Sequence, residues 1–480
     1  MAGISRDRAS EELTVDTVQP EAPRRLGLVL AVYLLGLAIG GLYVGMVAPV
    51  RTVVQLGFGL DDAAGIWMIN IYTLFYAALI PVIGKVADRR GRNRIFALCV
   101  AVFMVGSILC GLSASIGGFA LLLVGRVVQA AGAGGMIPVA NAEIGTSFPE
   151  GKRGMALGIA AAVSGLSNVL GAGAGSAIIG LVGVENWPVM FYVSVPLCAI
   201  LLIGTRALPR NAARPAVAGR MDYAGSVLFV LFVLLLLLGL KELDFFSLPR
   251  TIAQPGAWGP LVGAVACVVV FGLVERRAAS PVFHMEYLRS RPIVITMIAS
   301  FFIGCVVIAM MMVPEYAEFV MGDTVGSGGY YMLAVGITSM VGPPLGGKLI
   351  DRFGPRPVLL FGLAVMVAGY SFLALRASLA PSVGSLVFGL AVVGFGMGFA
   401  MGAPTNYMIL ENTRDEDSAS ALIATIALVR QVGTTVAPAI FVGFISAGNG
   451  ILGYQQMLLC VAVFSALAAV VTLFYRSPGK

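Results

Sequence analysis

Charged residues are scarce in this sequence. Only 11% of the 480 residues are Asp, Glu, Lys or Arg, whereas 59% are hydrophobic, and the mean hydropathy is +0.94. A soluble domain carries roughly 25% charged residues, so a water-soluble fold of this size would have no place for so much apolar surface. The composition therefore excludes an ordinary soluble protein and predicts a protein of the lipid bilayer.

The sequence also has almost no histidine and no cluster of cysteines. His284 is the single histidine, and the cysteines lie inside apolar runs without the spacing of metal ligands. We therefore expect no metal, no cofactor and no histidine-dependent catalysis, so the chain is predicted not to be an enzyme. The net charge of +7 comes from short basic clusters between apolar runs. Such clusters favour membrane lipids as partners and argue against nucleic acid. The six cysteines are Cys99, Cys110, Cys198, Cys267, Cys305 and Cys460.

Long apolar runs account for most of the chain. A membrane-spanning helix needs about 20 mostly apolar residues, and fourteen runs approach that length. The sequence therefore predicts an all-α, polytopic membrane protein with about 14 transmembrane helices. The runs are 27–50, 65–86, 95–113, 118–145, 155–181, 187–206, 222–241, 257–275, 293–314, 328–350, 357–376, 382–409, 419–446 and 453–475.

Basic residues collect in the connections after every second run, which is typical of cytoplasmic loops. The other connections hold few basic residues, among which we count Arg51, Lys241, Arg250 and Arg376. This asymmetry predicts that both termini are cytoplasmic. The first 26 residues mix acids with arginines and lack an apolar core, so they are typical of a solvated tail and not of a signal peptide.

One loop pattern occurs twice. The segment 84–91 recurs at 347–354, with Gly, Lys, Asp, Arg and Gly at matching positions. Each copy follows the second helix of a possible six-helix unit on the cytoplasmic side, which predicts a parallel internal repeat with two pseudo-symmetric halves. The predicted 6+2+6 arrangement is a tail at 1–26, a six-helix half at 27–206, a linker with two inserted helices at 207–292, a six-helix half at 293–475, and a tail at 476–480.

These motifs resemble the major facilitator superfamily, in particular its fourteen-helix drug:proton antiporter branch. The stretch from Gly84 to Arg94 is similar to the loop signature of that superfamily, and Arg126-x-x-Gln129 resembles its fourth-helix pattern. Gly171 and Gly175 resemble its antiporter motif, although the family has proline and glycine where this chain has Ala172 and Ser176. Arg430-Gln431-x-Gly433 resembles the eleventh-helix pattern. The resemblance implies a monomeric, proton-coupled efflux transporter in a bacterial plasma membrane.

The repeated loop predicts a conformational latch that forms and breaks as the two halves move. Glycine permits close helix approach there, and the charges anchor at the cytoplasmic interface. On the fifth helix, Gly171 and Gly175 are expected to pack closely at the outer gate. The latch candidates are Gly84, Asp88, Arg89, Gly91, Arg92, Gly347, Asp351, Arg352 and Gly354.

Proton coupling needs a carboxylate that is accessible from both sides of the membrane. Glu315 and Glu318 lie on one face of a helix near its outer end, where two neighbouring carboxylates repel and can retain a proton. Glu143, at the cytoplasmic end of its run, is a further candidate. The alternative for Glu315 and Glu318 is a hydrated outer loop. The first run has no acid, with Gly40 at the position where the branch usually has one.

Polar residues within apolar runs are the candidates for a substrate cavity, because a few polar groups among apolar walls suit amphipathic ligands. Arg126 and Arg430 make the interior basic, which favours a neutral, amphipathic or anionic small molecule. The leading hypothesis is proton-coupled efflux. The alternatives are a carrier, for uptake or export, of organic anions or lipids, and a sensor without transport. The cavity candidates are Arg126, Gln129, Tyr33, Asn70, Tyr72, Asn141, Asn168, Asn406, Arg430 and Gln431.

Overall fold

The described part of the chain is helical throughout its regular structure. A computed structural model describes residues 26–148, 150–208, 223–243, 252, 254–277, 285–379, 381–401, 403–412, 416–447 and 450–476. The expected cytoplasmic tails lie outside these ranges, apart from Leu26 at one end and Arg476 at the other.

The N-terminal group consists of six helical segments, the last of which is interrupted at Val193. Short helices at Asp62–Gly65 and Val184–Asn186 connect its members. The segments are α1 (Leu26–Phe58), α2 (Trp67–Arg90), α3 (Arg92–Leu112), α4 (Gly118–Ser147), α5 (Glu150–Val182) and α6 (Val189–Tyr192 with Ser194–Arg206).

In the described ranges two long helices follow, and then a C-terminal group. The two are α7 (Tyr223–Lys241) and α8 (Pro255–Glu275), and a short helix, Met285–Arg289, precedes the group. The group comprises α9 (Arg291–Ile308, Ala309–Met312 and Val313–Met321), α10 (Gly328–Tyr331, Met332–Ser339 and Gly342–Phe353), α11 (Pro355–Leu379), α12 (Val383–Ala400 and Ala403–Leu410), α13 (Glu416–Ala447) and α14 (Ile451–Leu473).

Most of these helices are long and apolar enough to cross a membrane. Twelve of those in the described ranges meet that criterion, and α2 and α7 contain shorter apolar stretches, Trp67–Ile80 and Val227–Leu240. The chain is therefore an all-helical, multi-pass membrane protein.

Small residues let the helices of the N-terminal group approach closely. A methyl group added to Gly45 of α1 would lie 1.8 Å from the carbonyl oxygen of Asn168 on α5, and one added to Gly171 would lie 2.2 Å from that of Leu42. Such backbone contact is the usual means of packing helices in lipid, where burial of apolar surface gives no driving force between them.

The helices α7 and α8 pack against each other beside the seam between the two groups. Phe229, Val233 and Leu237 of α7 contact Leu74 of α2 and Ala439 of α13. The outer helix α8 is mostly exposed, which suits contact with lipid.

The first helix differs from its predicted extent. The run 27–50 was expected to end near Pro49, with Arg51 in a connecting loop, but α1 continues to Phe58 and buries Arg51. The assignment of Arg51 to a loop is therefore wrong. Val50, Val53 and Val54 continue the apolar run beyond the arginine, and a carboxylate on another helix neutralises its charge.

Candidate functional site

A buried ion pair joins the two groups at one end of the bundle. Arg51 of α1 and Glu315 of α9 are 1% and 2% exposed, and the guanidinium contacts the carboxylate directly. Both charges would be costly to bury alone, so each stabilises the other at this position. We call this end, where α1 finishes and α10 begins, the closed end.

The second carboxylate of the pair predicted from sequence lies one turn further along α9. The Glu318 Oε1 atom accepts a hydrogen bond of 2.7 Å from the Gly326 amide, and the Arg51 charge also acts on this side chain. The Gly326 backbone is itself seated against Val53 of α1 and Ile179 of α5. The connection between α9 and α10 thus folds into the seam, and Glu318 fixes it there. Both carboxylates are buried, whereas carboxylates in a hydrated outer loop would be exposed to water.

A hydrogen bond between backbone and side chain closes the seam further. The Gly329 amide of α10 donates to the Ser176 hydroxyl of α5 at 2.9 Å. A methyl group on Gly329 would lie 2.2 Å from the Ala172 carbonyl oxygen, so only glycine permits this approach. Ala172 and Ser176 are the two positions at which the antiporter motif is altered. Gly171 and Gly175, by contrast, pack against α1 within their own group.

Glu143 lies at the opposite end of the bundle, beside the basic side chain of Arg92. Arg92 Nη1 donates to the Ala142 carbonyl at 3.0 Å and to the Thr146 hydroxyl at 2.8 Å, and it lies 3.8 Å from Glu143 Oε2. The Ser147 hydroxyl donates to the other carboxylate oxygen at 3.0 Å. Because Arg92 belongs to the repeated loop, these contacts tie that loop to the end of α4.

The two copies of the loop end their helices in the same way. Gly91 follows α2 with a φ of 95°, and Gly354 follows the last part of α10 with a φ of 83°. Each glycine amide bonds the carbonyl four residues earlier, at 2.9 Å to Ala87 and 2.7 Å to Ile350. A residue with a side chain would be strained at either position.

The remaining latch candidates lie around these turns. Gly84 and Gly347 have open space where a side chain would project, and Asp351 and Arg352 are exposed. Arg89 is half-buried, and the side chain of Asp88 lies outside the described residues.

Arg126 is held within the N-terminal group by neutral partners. Its Nε donates to the Met68 carbonyl at 3.2 Å, its Nη1 donates to Gln129 Oε1, and its guanidinium lies 4.0 Å from the ring centre of Tyr72. Gln129 Nε2 in turn donates to the Ser107 hydroxyl at 2.8 Å. This network connects α2, α3 and α4 and satisfies most of the polar atoms of Gln129.

Tyr72 begins a row of side chains that leads to the other group. Its ring stacks on that of Tyr76, with centroids 6.1 Å apart and planes 10° from parallel. The Tyr76 hydroxyl interacts electrostatically with Arg430 of α13. We call these four residues, Arg126, Tyr72, Tyr76 and Arg430, the cationic row.

Comparison with known proteins shows the family of the chain. A family model described as the Major Facilitator Superfamily matches residues 33–438 and 341–480. The chain belongs to the Major Facilitator Superfamily. An uncharacterized MFS-type transporter of Bacillus subtilis (strain 168), YfiU, is 29% identical over 428 residues, which cover 88% of this chain and 80% of that protein.

Two further similarities come from a named multidrug transporter and a solved structure. The multidrug transporter protein MdtP of the same strain is 26% identical over 418 residues, which cover 85% of this chain and 72% of that protein. The inward open xylose transporter XylE from E. coli gives a TM-score of 0.66 at 15% identity, over 95% of this chain and 98% of that chain. At that identity the structural likeness shows the fold alone. The superfamily's relatives are transporters, which supports the expectation that the chain is not an enzyme.

The other cavity candidates of this superfamily member are dispersed. The Tyr33 ring is buried against Phe96, with centroids 4.6 Å apart, and Asn70 is buried with its side-chain oxygen unbonded among the described residues. Asn141 and Asn168 are exposed, whereas Asn406 and Gln431 are partly exposed. The structure therefore brings Arg126, Gln129 and Tyr72 together, joins Arg430 to them through Tyr76, and shows no such link for Tyr33, Asn141, Asn168 or Asn406 among the described residues.

Sequence reasoning missed Arg51, Ser176 and Tyr76. Arg51 was counted among loop charges although apolar residues continue beyond it, and that continuation was the available signal. Tyr76 lies one turn after Tyr72, so the i, i+4 spacing would have placed the two rings on one face. The contact of Ser176 with Gly329 carries no signal in the sequence.

Proposed function

We propose that this superfamily member is a proton-coupled exporter of small amphipathic compounds that works by alternating access. The observation that carries the proposal is the Arg51–Glu315 ion pair, because it is buried, titratable and shared by the two groups of helices. A transporter of this type needs a contact between its moving parts that depends on protonation, and this pair is such a contact.

The chemistry of the proposed cycle follows from the pair. Protonation of Glu315 removes the negative charge that compensates Arg51, so the closed end loses an attraction between the groups. Glu318 holds the loop that fills the same seam, and its protonation would weaken the hydrogen bond that it accepts from Gly326. The two carboxylates thus couple proton binding to opening of this end.

The proposed arrangement in the membrane has fourteen spans, with α7 and α8 inserted between six-helix halves at 27–206 and 293–475. Both termini are cytoplasmic in this proposal, so the closed end faces outward. The repeated loops serve as the latch on the cytoplasmic side, where Arg92 contacts the end of α4. The transporter works as a monomer in a bacterial plasma membrane. The name of its relative MdtP supports drug-like compounds as substrates.

The test is proton movement in liposomes that contain the purified protein and an internal pH dye. Cationic, neutral and anionic amphiphiles are added under a proton gradient to wild type, the double variant Glu315→Gln/Glu318→Gln, and Arg430→Ala. Glu185→Gln is the matched control, since Glu185 is an exposed acid at the same end. We expect substrate-dependent proton movement in wild type and in the control, and none in the double variant. Coupling that survives in the double variant would remove both glutamates from the mechanism and direct attention to Glu143.

A second candidate is a carrier of organic anions or lipids without proton antiport. The observations that favour it are the absence of any acid from α1 and the basic character of Arg126 and Arg430. Flux of an anionic amphiphile without proton movement in the same liposomes would select this candidate.

A further inference from the structure

Arg430 is a partly exposed charge within the bundle for which the described residues supply no counter-charge. It lies roughly 21 Å from the start of α13 at a rise of 1.5 Å per residue, which is deep within a membrane-spanning helix. No hydrogen bond or ion pair joins its guanidinium to any of the described residues, and Tyr76 is its electrostatic neighbour. An arginine at such depth is costly unless it has a partner or faces a cavity.

The fixed backbone around Arg430 keeps the side chain at the seam. A methyl group on Gly304 of α9 would lie 2.1 Å from the Arg430 carbonyl oxygen, so α9 and α13 are in backbone contact there. Leu428 and Val432, two residues before and after Arg430 and therefore on another face of α13, pack toward α2 and α7. Arg430 is partly exposed, and its charge interacts with Tyr76 of α2 across the seam.

The neighbouring groups are donors or positive charges. Tyr72 and Tyr76 present hydroxyls that interact with each other, and the buried Tyr72 hydroxyl has no hydrogen-bond partner among the described residues. Behind Tyr72 lies Arg126, whose charge is likewise unpaired with any described carboxylate. Two arginines and two phenols make a site that lacks negative charge, so its complement is an anion.

We propose that the cationic row binds the anionic headgroup of an amphipathic substrate, with Arg430 as the contacting charge. The substrate class is a single-chain amphiphile with a carboxylate or a phosphate monoester at one end. The inference rests on the transport function proposed above and specifies its cargo. Arg126 does not contact the headgroup, because its guanidinium is hydrogen-bonded to Met68 and Gln129. Its positive charge attracts the headgroup from the far side of the Tyr72 ring.

The apolar walls distinguish an amphiphile from a small inorganic ion. A bare chloride or phosphate would lose its hydration without enough polar partners in return. An amphiphile can place its chain along apolar side chains of the seam while its headgroup meets Arg430, which is the usual composition of a ligand site.

The experiment measures equilibrium binding to the purified full chain in neutral detergent, without a proton gradient. A fluorescent fatty acid is displaced by four unlabelled compounds of equal chain length: a carboxylate, a phosphate monoester, a primary amide and an amine. The variants are Arg430→Gln, Arg430→Lys and Tyr76→Phe. Arg277→Gln is the matched control, because Arg277 is an exposed arginine outside the spans.

We expect the two anions to bind about tenfold or more tightly than the amide in wild type and in the control, as a charge-assisted hydrogen bond contributes. Arg430→Gln should abolish that preference without weakening the amide, Arg430→Lys should retain part of it, and Tyr76→Phe should reduce it less than Arg430→Gln. The tighter of the two anions identifies the headgroup as carboxylate or phosphate.

Equal affinity for anion and amide, or a preference that survives Arg430→Gln, would overturn the inference. Displacement by chloride alone, at constant ionic strength, would assign Arg430 to an inorganic ion and also overturn it. Because no gradient is present, these results are independent of proton coupling. Failure of coupling in the liposomes with a preference that depends on Arg430 would reject the antiport mechanism and keep the headgroup site.

Discussion

Arg51 and Arg430 are two arginines at the seam between the same groups of helices, one buried and one partly exposed, and among the described residues only Arg51 has a carboxylate partner. Arg51 contacts Glu315 on the opposite group, whereas Tyr76 is the electrostatic neighbour that the described residues give Arg430. A compensated charge holds two surfaces together, and an uncompensated charge is available for a ligand. The difference shows that a buried charge indicates function only after its partners are known.

The largest effect is expected from breaking the compensated pair. Glu315→Gln removes the carboxylate that contacts Arg51 directly and leaves Glu318 as the nearby acid; breaking a buried pair costs about 3–5 kcal/mol in comparable sites. Because the pair joins the two groups of helices, we expect its loss to weaken the contact between them and to open the closed end. Spin labels at Leu181→Cys and Thr324→Cys, both exposed there, report the distance across the seam.

The controls for this prediction are Glu315→Asp, which keeps the charge, and Glu185→Gln, which removes an exposed one. Both should leave the distance distribution as in wild type. An unchanged distribution in Glu315→Gln would show that the ion pair does not hold the closed end.

Arg126 is intermediate between Arg51 and Arg430, because its guanidinium donates hydrogen bonds to neutral groups and has no carboxylate partner among the described residues. Arg126→Leu removes the donors to Met68 and Gln129 and leaves the buried Gln129 oxygen without one of its bonds. A buried acceptor that loses its donor costs about 1–3 kcal/mol. We expect a lower thermal midpoint in detergent, together with an unchanged spin-label distance at the closed end. A midpoint equal to wild type would mean that this network does not stabilise the N-terminal group.

A smaller effect is expected at the neutral contact of the closed end. Ser176→Ala removes the hydroxyl that accepts the Gly329 amide and should weaken the seam by about 1 kcal/mol. The measured quantity is the population of the open form by the same spin labels. Ser115→Ala, at an exposed serine in the turn between α3 and α4, is the control. A shift as large as that of Glu315→Gln would contradict the ranking of the two contacts.

The smallest effect on stability is expected at Arg430. Arg430→Gln breaks no hydrogen bond or ion pair to a described residue, so the thermal midpoint should stay within the range of a neutral substitution, about 0.5 kcal/mol, or rise. A marked loss of stability would show that Arg430 is a structural residue, and it would remove the contrast with Arg51.

The sequence was sufficient for the helical class because about fourteen apolar runs together exceed what a soluble core allows. It also selected Arg126 and Arg430, since charges within apolar runs are rare, and Glu315 and Glu318, which directly follow such a run; the roles of all four stay predictions. It could not supply their partners. The ion pair of Arg51 with Glu315 and the bond of Ser176 with Gly329 join residues far apart in the chain, and no local pattern records such contacts.

The packing of α7 has a consequence for how easily the two groups can move. Phe229, Val233 and Leu237 contact α2 and α13 with apolar side chains, so movement at this surface breaks no hydrogen bond or ion pair of these side chains. Dispersion contacts of this kind are individually weak and can form again with new neighbours after a displacement. In the proposed alternating-access cycle, α7 can therefore stay in contact with both groups while they move.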